Sequence, residues 1–253
     1  MPNKPIIKVE ALSKSYKGHA VVKGISFEVQ RGEIFGILGP NGAGKTTTLE
    51  MVETMRNMDN GKITIDGIDV ATQPEMIKEI IGVQQQTPSF EEKTKLTEQL
   101  DFLASCYGEK IDVRLLLKRV QLEGKASSYP EQLSGGQRQR FSVAAALVHE
   151  PKILFLDEPT TGLDPQARRN MWDLIQQIKQ QGITIVMTTH YMEEAELLCD
   201  RVAIMDEGEI IALDSPKNMV KHLLRGGFKK KQLVEQANLE DVFINLTGKA
   251  LRE

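Results

Sequence analysis

The sequence predicts an α/β fold: helices cover a central parallel sheet, an antiparallel β layer lies near the N-terminus, and an α-helical subdomain is inserted between strands. Continuous apolar runs such as Ile153–Leu156 and Ile183–Met187 are typical of strands buried on both faces, as in parallel sheets. Earlier runs alternate apolar and polar residues, and Gly61 and Gly67 flank one of them, which favours antiparallel hairpins. Between residues 94 and 149 the apolar spacing becomes helical.

Strands are predicted at short runs rich in β-branched residues: Ile6–Val9, Ile25–Val29, Ile34–Leu38, Lys62–Ile65, Ile153–Leu156, Thr184–Met187, Val202–Met205 and Ile210–Leu213. A helix-compatible run from Thr46 to Thr54 follows the third of them. One helical face of the insert consists of Leu96, Leu100, Leu103 and Tyr107.

Two further helices are predicted from their capping residues. Asp112 is expected to cap a helix from Val113 to Leu122 that ends at Gly124. Asp164 is expected to cap a helix that has Pro165 in its first turn and stops at Gly182. Its buried stripe is Met171, Leu174, Ile175 and Ile178.

Composition and charge limit the function classes. The chain has 253 residues, a net charge of −3 and two cysteines. A net negative charge argues against nucleic acid as the main partner, because that role needs a basic face. Cys106 and Cys199 have no paired spacing, so we expect neither a disulfide framework nor a zinc site, and a reducing compartment. The start of the chain is unlike a signal peptide, and no apolar run is long enough to span a bilayer.

The predicted organisation has three parts. Residues 1–93 and 150–213 form the α/β core, and residues 94–149 form the helical subdomain. Residues 214–253 form a C-terminal helical extension. Within it, residues 229–231 are a basic run expected to be solvated, and Leu239, Val242, Phe243 and Leu246 predict an amphipathic helix.

A glycine-rich loop follows the predicted strand Ile34–Leu38 and matches the pattern G-x-x-x-x-G-K-[ST]. Its glycines let backbone N–H groups point at a phosphate, and the start of the next helix adds partial positive charge. Lys45 can bridge β- and γ-phosphate oxygens, and the Thr46 hydroxyl can ligate Mg²⁺. The predicted nucleotide-binding residues are Gly39, Pro40, Asn41, Gly42, Ala43, Gly44, Lys45, Thr46 and Thr47.

Two carboxylates follow the buried run Ile153–Leu156. Acidic residues at the carboxyl end of a central strand lie where α/β sheets bind ligands. Asp157 can hold Mg²⁺, directly or through water. Glu158 would then face the γ-phosphate and orient or deprotonate the attacking water.

A second candidate phosphate site is Leu133-Ser-Gly-Gly-Gln137. Ser134 and Gln137 also form an S-x-x-Q capping box that starts a helix running to about His149. A capped, glycine-rich helix start is itself an anion site, so capping and phosphate binding do not exclude each other. Both interpretations remain open from the residues alone.

The glycine-rich loop, Leu133–Gln137, Asp157-Glu158, Thr161-Gly-Leu-Asp164 and His190 occur in the order found in ATP-binding subunits of ABC transporters, which the chain resembles over about residues 6 to 213. The resemblance implies a RecA-like ATPase core and two subunits packed head to tail. Each ATP then lies between the glycine-rich loop (P-loop) of one subunit and Ser134, Gly135, Gly136 and Gln137 of the other.

The resemblance also assigns individual roles. Tyr16 matches the aromatic residue that stacks on adenine, and Asp164 matches the residue that contacts the opposite subunit. His190 matches the histidine that contacts the γ-phosphate. Gln86 matches a glutamine that senses Mg²⁺ and the membrane partner; Gln84 and Gln85 are alternatives, and spacing favours Gln86.

The implied function is an ATP-hydrolysing motor with ATP and Mg²⁺, with Glu158, His190, Gln86 and Lys45 as catalytic residues and Thr46, Gln86 and Asp157 at the metal. Its implied partners are transmembrane permease subunits and a second copy or homologue, at the inner face of the membrane. The ending at residues 239–248 resembles ATPase subunits of drug and polysaccharide exporters, which favours export. The alternatives are a soluble ABC ATPase acting on ribosomes or nucleic acid and an accessory subunit that binds ATP without turnover.

Overall fold

Two β-sheets form the framework of the computed structural model, which describes residues 4–86 and 89–228. Strands β1 to β10 and helices α1 to α8 follow one another along the chain as β1 Ile7–Tyr16, β2 His19–Val29, β3 Ile34–Leu38, α1 Lys45–Val52, β4 Asn60–Ile65, β5 Ile68–Asp69, α2 Pro74–Lys78, β6 Ile81–Gln84, α3 Leu96–Cys106, α4 Val113–Arg119, α5 Gly135–Ala146, β7 Ile153–Asp157, α6 Pro165–Gln180, β8 Thr184–Thr189, α7 Met192–Leu198, β9 Arg201–Asp206, β10 Glu209–Asp214 and α8 Pro216–Arg225.

The larger sheet has six strands in the order β10-β9-β3-β8-β7-β6. The five strands from β9 to β6 are parallel, and β10 pairs antiparallel to β9. Every residue of β3, β7 and β8 is buried, as the continuous apolar runs predict for strands covered on both faces. The carboxyl ends of β3, β7 and β8 therefore lie side by side, which brings together the loops that follow them.

The smaller sheet is antiparallel, in the order β2-β1-β4-β5. Its apolar faces pack on the larger sheet, and the rings of Phe27 and Phe35 stack across this contact with centroids 5.3 Å apart. The predicted α/β class, with its parallel sheet and N-terminal antiparallel layer, is confirmed. The short strands β5 and β6 and helices α2 and α7 are not among the elements predicted from the sequence.

In the described residues 89–152, which precede β7, the regular structure is helical: α3, α4, α5 and two short 3₁₀ turns. Asp112 caps α4 as predicted, because its carboxylate accepts hydrogen bonds from the amides of Arg114 and Leu115. The predicted end of this helix is wrong. The helix ends at Arg119, Gln121 adopts φ +59°, and Gly124 lies in a 3₁₀ turn.

The other predicted helices are found with shifted ends. The helix after Ser134 ends at Ala146 rather than near His149, and α1 covers Lys45–Val52 rather than 46–54. Helix α6 begins after Asp164 and buries its predicted stripe. None of the helices formed by the described residues combines the length and apolar composition needed to cross a bilayer.

The chain divides into two compact units, residues 1–217 and residues 218–253. The predicted helical extension begins close to this division, and most of α8 lies in the second unit. The predicted basic run 229–231 and the amphipathic helix around Leu239 lie outside the described residues. The three-part organisation stays a prediction.

A groove of about 730 Å³ separates the insert from the α/β core. Its walls come from α3 and α5 on one side and from β6 and the residues that follow α1 on the other. Phe102 on α3 is 68% exposed there, beside the exposed side chains of Met55 and Tyr107. Glu53, which is 5% exposed, also lines the groove.

Burial raises the pKa of Glu53 to about 8, and the negative charges of Asp157 and Glu50 add to this effect. The folded state therefore keeps a proton on Glu53 in a pH range where the unfolded chain, with the ordinary value of 4.5, has released it. The stability that depends on this proton is fully present below 4.5 and is lost as pH rises through about 8.

Glu53→Gln should consequently gain stability over the wild type as pH rises, by about 1–3 kcal/mol between pH 5 and pH 8. Glutamine resembles the protonated acid but cannot ionise. Urea unfolding of both proteins at pH 5, 6.5 and 8 measures the difference, with Glu79→Gln, an exposed glutamate, as control. A difference that stays constant across this range would contradict the prediction.

Candidate active site

The glycine-rich loop joins the end of β3 to the start of α1. A Cβ at Gly39 would lie 2.1 Å from the carbonyl oxygen of Met205, so only glycine fits there. Gly44 adopts φ +95° immediately before the first residue of α1. These two glycines allow the loop to curl around the helix N-terminus, where free N–H groups and the helix dipole favour a phosphate.

A cleft of about 460 Å³ lies over this loop. Segments that are distant in sequence meet there, and the lining residues are Val21, Asn41, Gly42, Gly44, Lys45, Thr46, Thr47, Gln86, Glu158, Thr161 and His190. The structure thus brings together most of the predicted loop residues, including Lys45, with the other three predicted catalytic residues. Gly39, Pro40 and Ala43 belong to the loop but do not line the cleft.

Glu158 is the centre of the polar contacts in the cleft. Lys45 Nζ lies 3.3 Å from Glu158 Oε1 and 3.1 Å from the carbonyl oxygen of Pro40. Gln86 Nε2 and Thr161 Oγ1 donate to Glu158 Oε2 at 3.2 and 3.1 Å. His190 Nδ1 lies 3.3 Å from Oε1, without the alignment of a hydrogen bond. One carboxylate therefore connects the glycine-rich loop, Gln86 and His190.

Glu158 stays ionised in this setting. Burial alone would raise the pKa of Glu158. The His190 ring nitrogen 3.3 Å away, the positive charge of Lys45 and the hydrogen bond from Thr161 outweigh burial and hold this pKa below its ordinary value. An ionised carboxylate that is buried and surrounded by donors is suited to accept a proton from water or to orient it.

The backbone of Glu158 is also unusual, because φ is +46° for a residue with a side chain. Such a conformation costs about 1–3 kcal/mol and persists only where neighbouring groups impose it. One such group is Thr188 in β8, whose hydroxyl oxygen accepts a hydrogen bond from the Glu158 amide at 3.0 Å. This backbone conformation turns the chain sharply after β7.

Asp157 is buried at the end of β7, beside the glycine-rich loop. Its Oδ1 accepts hydrogen bonds from Thr188 Oγ1 and, at 3.3 Å, from Thr46 Oγ1. Burial raises the pKa of Asp157, and these two hydrogen bonds oppose the rise. Mg²⁺ prefers oxygen ligands. The hydroxyl of Thr46, the carboxylate of Asp157 and the amide oxygen of Gln86 therefore suit this metal.

The three consecutive glutamines have different surroundings. Gln84 is fully buried, and its amide donates to the carbonyl of Gln85. Gln85 lines the large groove, with its nitrogen 3.7 Å from Met55 Sδ. Gln86 lines the cleft and contacts Glu158. Geometry therefore supports Gln86, the residue that spacing favours, over the two alternatives.

The Leu133–Gln137 segment lies apart from the cleft of its own chain. Ser134 Oγ accepts from the Gln137 amide at 3.3 Å, and Gln137 Oε1 accepts from the Ser134 amide at 3.0 Å. The predicted capping box is therefore formed. None of Ser134, Gly135, Gly136 and Gln137 lines the cleft over the glycine-rich loop. A Cβ at Gly135 would have no neighbour within 4 Å among the described residues, so packing within the chain does not require this glycine.

Tyr16 and Asp164 also lie away from the cleft lining. The Tyr16 hydroxyl accepts a hydrogen bond from Arg56 Nη1 at 2.6 Å, and the Arg56 guanidinium lies 5.4 Å from the ring centroid. Asp164 caps α6 by accepting from the Ala167 amide at 2.8 Å. The predicted adenine contact of Tyr16 and subunit contact of Asp164 stay predictions.

The sequence profile of one family, described as "ABC transporter", matches residues 22–161, which is more than half of the chain. The chain belongs to the ABC transporter ATP-binding family. The match includes the glycine-rich loop, the Leu133–Gln137 segment, Asp157 and Glu158. This ABC protein is therefore an ATPase.

Curated relatives of this ABC ATPase include the linearmycin resistance ATP-binding protein LnrL of Bacillus subtilis. It is 38% identical over 223 residues, which cover 86% of this chain and 72% of the relative. The Nod factor export ATP-binding protein I of Ralstonia nicotianae is 41% identical over 223 residues, which cover 86% of this chain and 70% of the relative.

Solved ABC structures share the fold. The cbiO1 subunit from Clostridium perfringens, part of the transporter complex cbiONQ, superimposes with a TM-score of 0.77 and 32% identity, covering 88% of this chain and 94% of that one. A dimeric ATP-binding cassette in a post-hydrolysis state, bound to ADP and Pi, gives a TM-score of 0.75 and 26% identity, covering 83% and 98%.

The structure adds residues to the ABC site that the sequence motifs do not indicate. Val21 and Thr161 line the cleft, and Thr188 holds both Asp157 and the Glu158 backbone. Thr188 lies two residues before His190 on a strand that ends at the site, so its position could have suggested a role. The apolar side chain of Val21 gives no indication in the sequence of a role at the site.

Proposed function

We propose that two copies of this ABC ATPase, or one copy and a homologue, close around two ATP molecules and drive export through separate transmembrane subunits. The observation that carries this proposal is the separation of the two phosphate-binding segments. The P-loop and Glu158 share one cleft, whereas Ser134 caps a helix outside it. An exposed, glycine-rich helix start is available to a phosphate bound by another chain.

Within each site, Lys45 would exchange its contacts with Pro40 and Glu158 for the β- and γ-phosphates, because their charge exceeds that of one carboxylate. Glu158, released from Lys45, then accepts a proton from the attacking water or orients it. Gln86 and His190 hold Glu158 at the γ-phosphate side. Thr46, Asp157 and Gln86 would hold Mg²⁺, whose charge stabilises the phosphate oxygens.

The groove between the insert and the core is the proposed docking surface for the permease. It is lined by exposed apolar side chains, which is typical of a protein interface. Gln85 lines this groove, and the next residue, Gln86, lines the nucleotide cleft. A movement of this segment on ATP binding would therefore be transmitted to the bound partner. Such a partner would place the chain at the inner face of the membrane.

Phe102→Ser should reduce recovery of a multi-spanning membrane protein at least about tenfold when the tagged subunit is purified from solubilised membranes, because a large exposed aromatic side chain is a typical interface anchor. Mass spectrometry of the purified material identifies and quantifies the partner. Leu115→Ser is the matched control, since Leu115 is 64% exposed on the same insert but outside the groove. Equal recovery with both variants would rule out the groove as the docking surface.

The names of the relatives favour export over the soluble alternative, because they refer to Nod factor export and to resistance against linearmycin. A ribosome- or DNA-associated ATPase would need a basic face, and the net charge here is −3. Co-sedimentation of the untagged protein with ribosomes or DNA, with no membrane partner recovered, would support that alternative instead.

A further inference from the structure

A fully buried carboxyl group, Glu194 on α7, joins three segments next to the active site. Its Oε1 accepts a hydrogen bond from Thr160 Oγ1 at 2.8 Å and another from Trp172 Nε1 at 3.0 Å. Glu194 is 0% exposed, Thr160 1% and Trp172 8%. The catalytic contacts described above involve none of these three side chains. A buried acceptor shared by two donors is costly to remove, because both donors then lose their partner.

The three segments carry the catalytic residues. Thr160 is two residues after Glu158, in the loop between β7 and α6. Glu194 is four residues after His190 and is the third residue of α7, the helix that follows β8. Trp172 lies on α6, the helix capped by Asp164. One oxygen atom therefore fixes the loop after Glu158 to the helix after His190.

The loop needs such a fixing point because Glu158 has φ +46°. A backbone in this region persists only where the surrounding structure imposes it. Thr188 holds the amide of Glu158, on the strand side. On the other side, Glu194 holds Thr160 at a buried position. A second contact between α6 and the segment after His190 supports the same arrangement: the Arg168 guanidinium lies 4.5 Å from the Tyr191 ring centroid.

We propose that Glu194 is a positioning residue for ATP hydrolysis: through Thr160 and Trp172 it keeps Glu158 in its strained conformation and in register with His190. This inference rests on the proposed role of Glu158 as the residue that activates water. The effect is expected on the chemical step rather than on nucleotide binding, because the P-loop does not contact Glu194, Thr160 or Trp172 through any hydrogen bond of the described residues.

The test removes the Thr160 hydroxyl by a substitution that keeps the side-chain volume nearly unchanged. Thr160→Val should lower kcat for ATP by about tenfold, since small displacements of a catalytic group have effects of this size or larger, and leave KM within about twofold. Thr160→Ser, which keeps the hydroxyl, should restore at least half of the wild-type kcat. Thr184→Val is the matched control: Thr184 is also 1% exposed, and its hydroxyl accepts from the Gly32 amide at the opposite end of β8.

Thermal unfolding of each variant separates positioning from stability. A Thr160→Val protein that loses no more kcat than Thr184→Val, at a similar loss of Tm, would overturn the proposal. Glu194→Leu should reproduce the kcat loss, and if it fails to fold, the threonine variants still decide. If the wild type hydrolyses ATP and Glu158→Gln does not slow it, the proposed role of Glu158 in activating water fails instead. The two failures are therefore distinguishable.

Discussion

Glu158→Gln is expected to slow ATP hydrolysis by about two to three orders of magnitude, the usual contribution of a general base. The amide cannot accept a proton from water, yet it keeps the size of the side chain and one oxygen for the donors around it. ATP binding should persist or tighten, because the variant lacks a negative charge next to the γ-phosphate. The chain should then accumulate as an ATP-bound dimer, measured by gel filtration with ATP alongside a steady-state phosphate-release assay.

The control is Glu196→Gln, which makes the same replacement at an exposed position on α7. This variant should hydrolyse ATP at the wild-type rate and remain monomeric after gel filtration once nucleotide is consumed. Turnover near the wild-type rate in Glu158→Gln would show that another group activates the water. Loss of ATP binding in Glu158→Gln would show that the carboxylate mainly positions Lys45.

Much of this site could be predicted from sequence because its signals are local. The glycine-rich loop needs small residues at fixed spacing, a strand before it and a helix after it, and all of these features are adjacent in the chain. The capping box of Ser134 and the N-cap of Asp112 are equally local. Buried parallel strands are recognisable because both faces are apolar, so β3, β7 and β8 were placed correctly.

The missed features depend on residues far apart in the chain. Nothing in the run Asp157-Glu158-Pro159 indicates a positive φ, which arises because Thr188, 30 positions later, binds the Glu158 amide. The shared acceptor Glu194 also depends on contacts across 34 and 22 positions. The early end of α4 is a tertiary effect as well, since Val120 and Leu122 are buried on either side of Gln121 at φ +59°.

The glutamine choice depends on tertiary position rather than on the motif. Gln84 ends β6 with its side chain fully buried, whereas Gln85 and Gln86 follow the strand and are exposed. Gln85 lines the groove, and the adjacent Gln86 lines the cleft. These two neighbours give a direct structural link between the proposed permease surface and Glu158.

Ser134→Arg is expected to abolish hydrolysis, by at least about two orders of magnitude, while the isolated chain still binds ATP. The large cation would occupy the helix start that should receive the γ-phosphate of the other chain. Binding within the chain should persist because Ser134 does not line the P-loop cleft. ATP affinity is measured by calorimetry on the monomer, with Ser127→Arg, an exposed serine of the same insert, as control. A loss of monomer binding would place Ser134 in the cleft of its own chain.

Mixing two inactive variants tests the shared site more strictly. Lys45→Ala disables a P-loop, and Ser134→Arg disables a Leu133–Gln137 segment. A mixed dimer has one site with both defects and one site with neither, because each site takes its parts from different chains. An equal mixture should therefore recover about a quarter of the wild-type phosphate release, since half of the dimers are mixed and each has one intact site. If both segments of a site came from one chain, every site would carry a defect and the mixture would stay inactive.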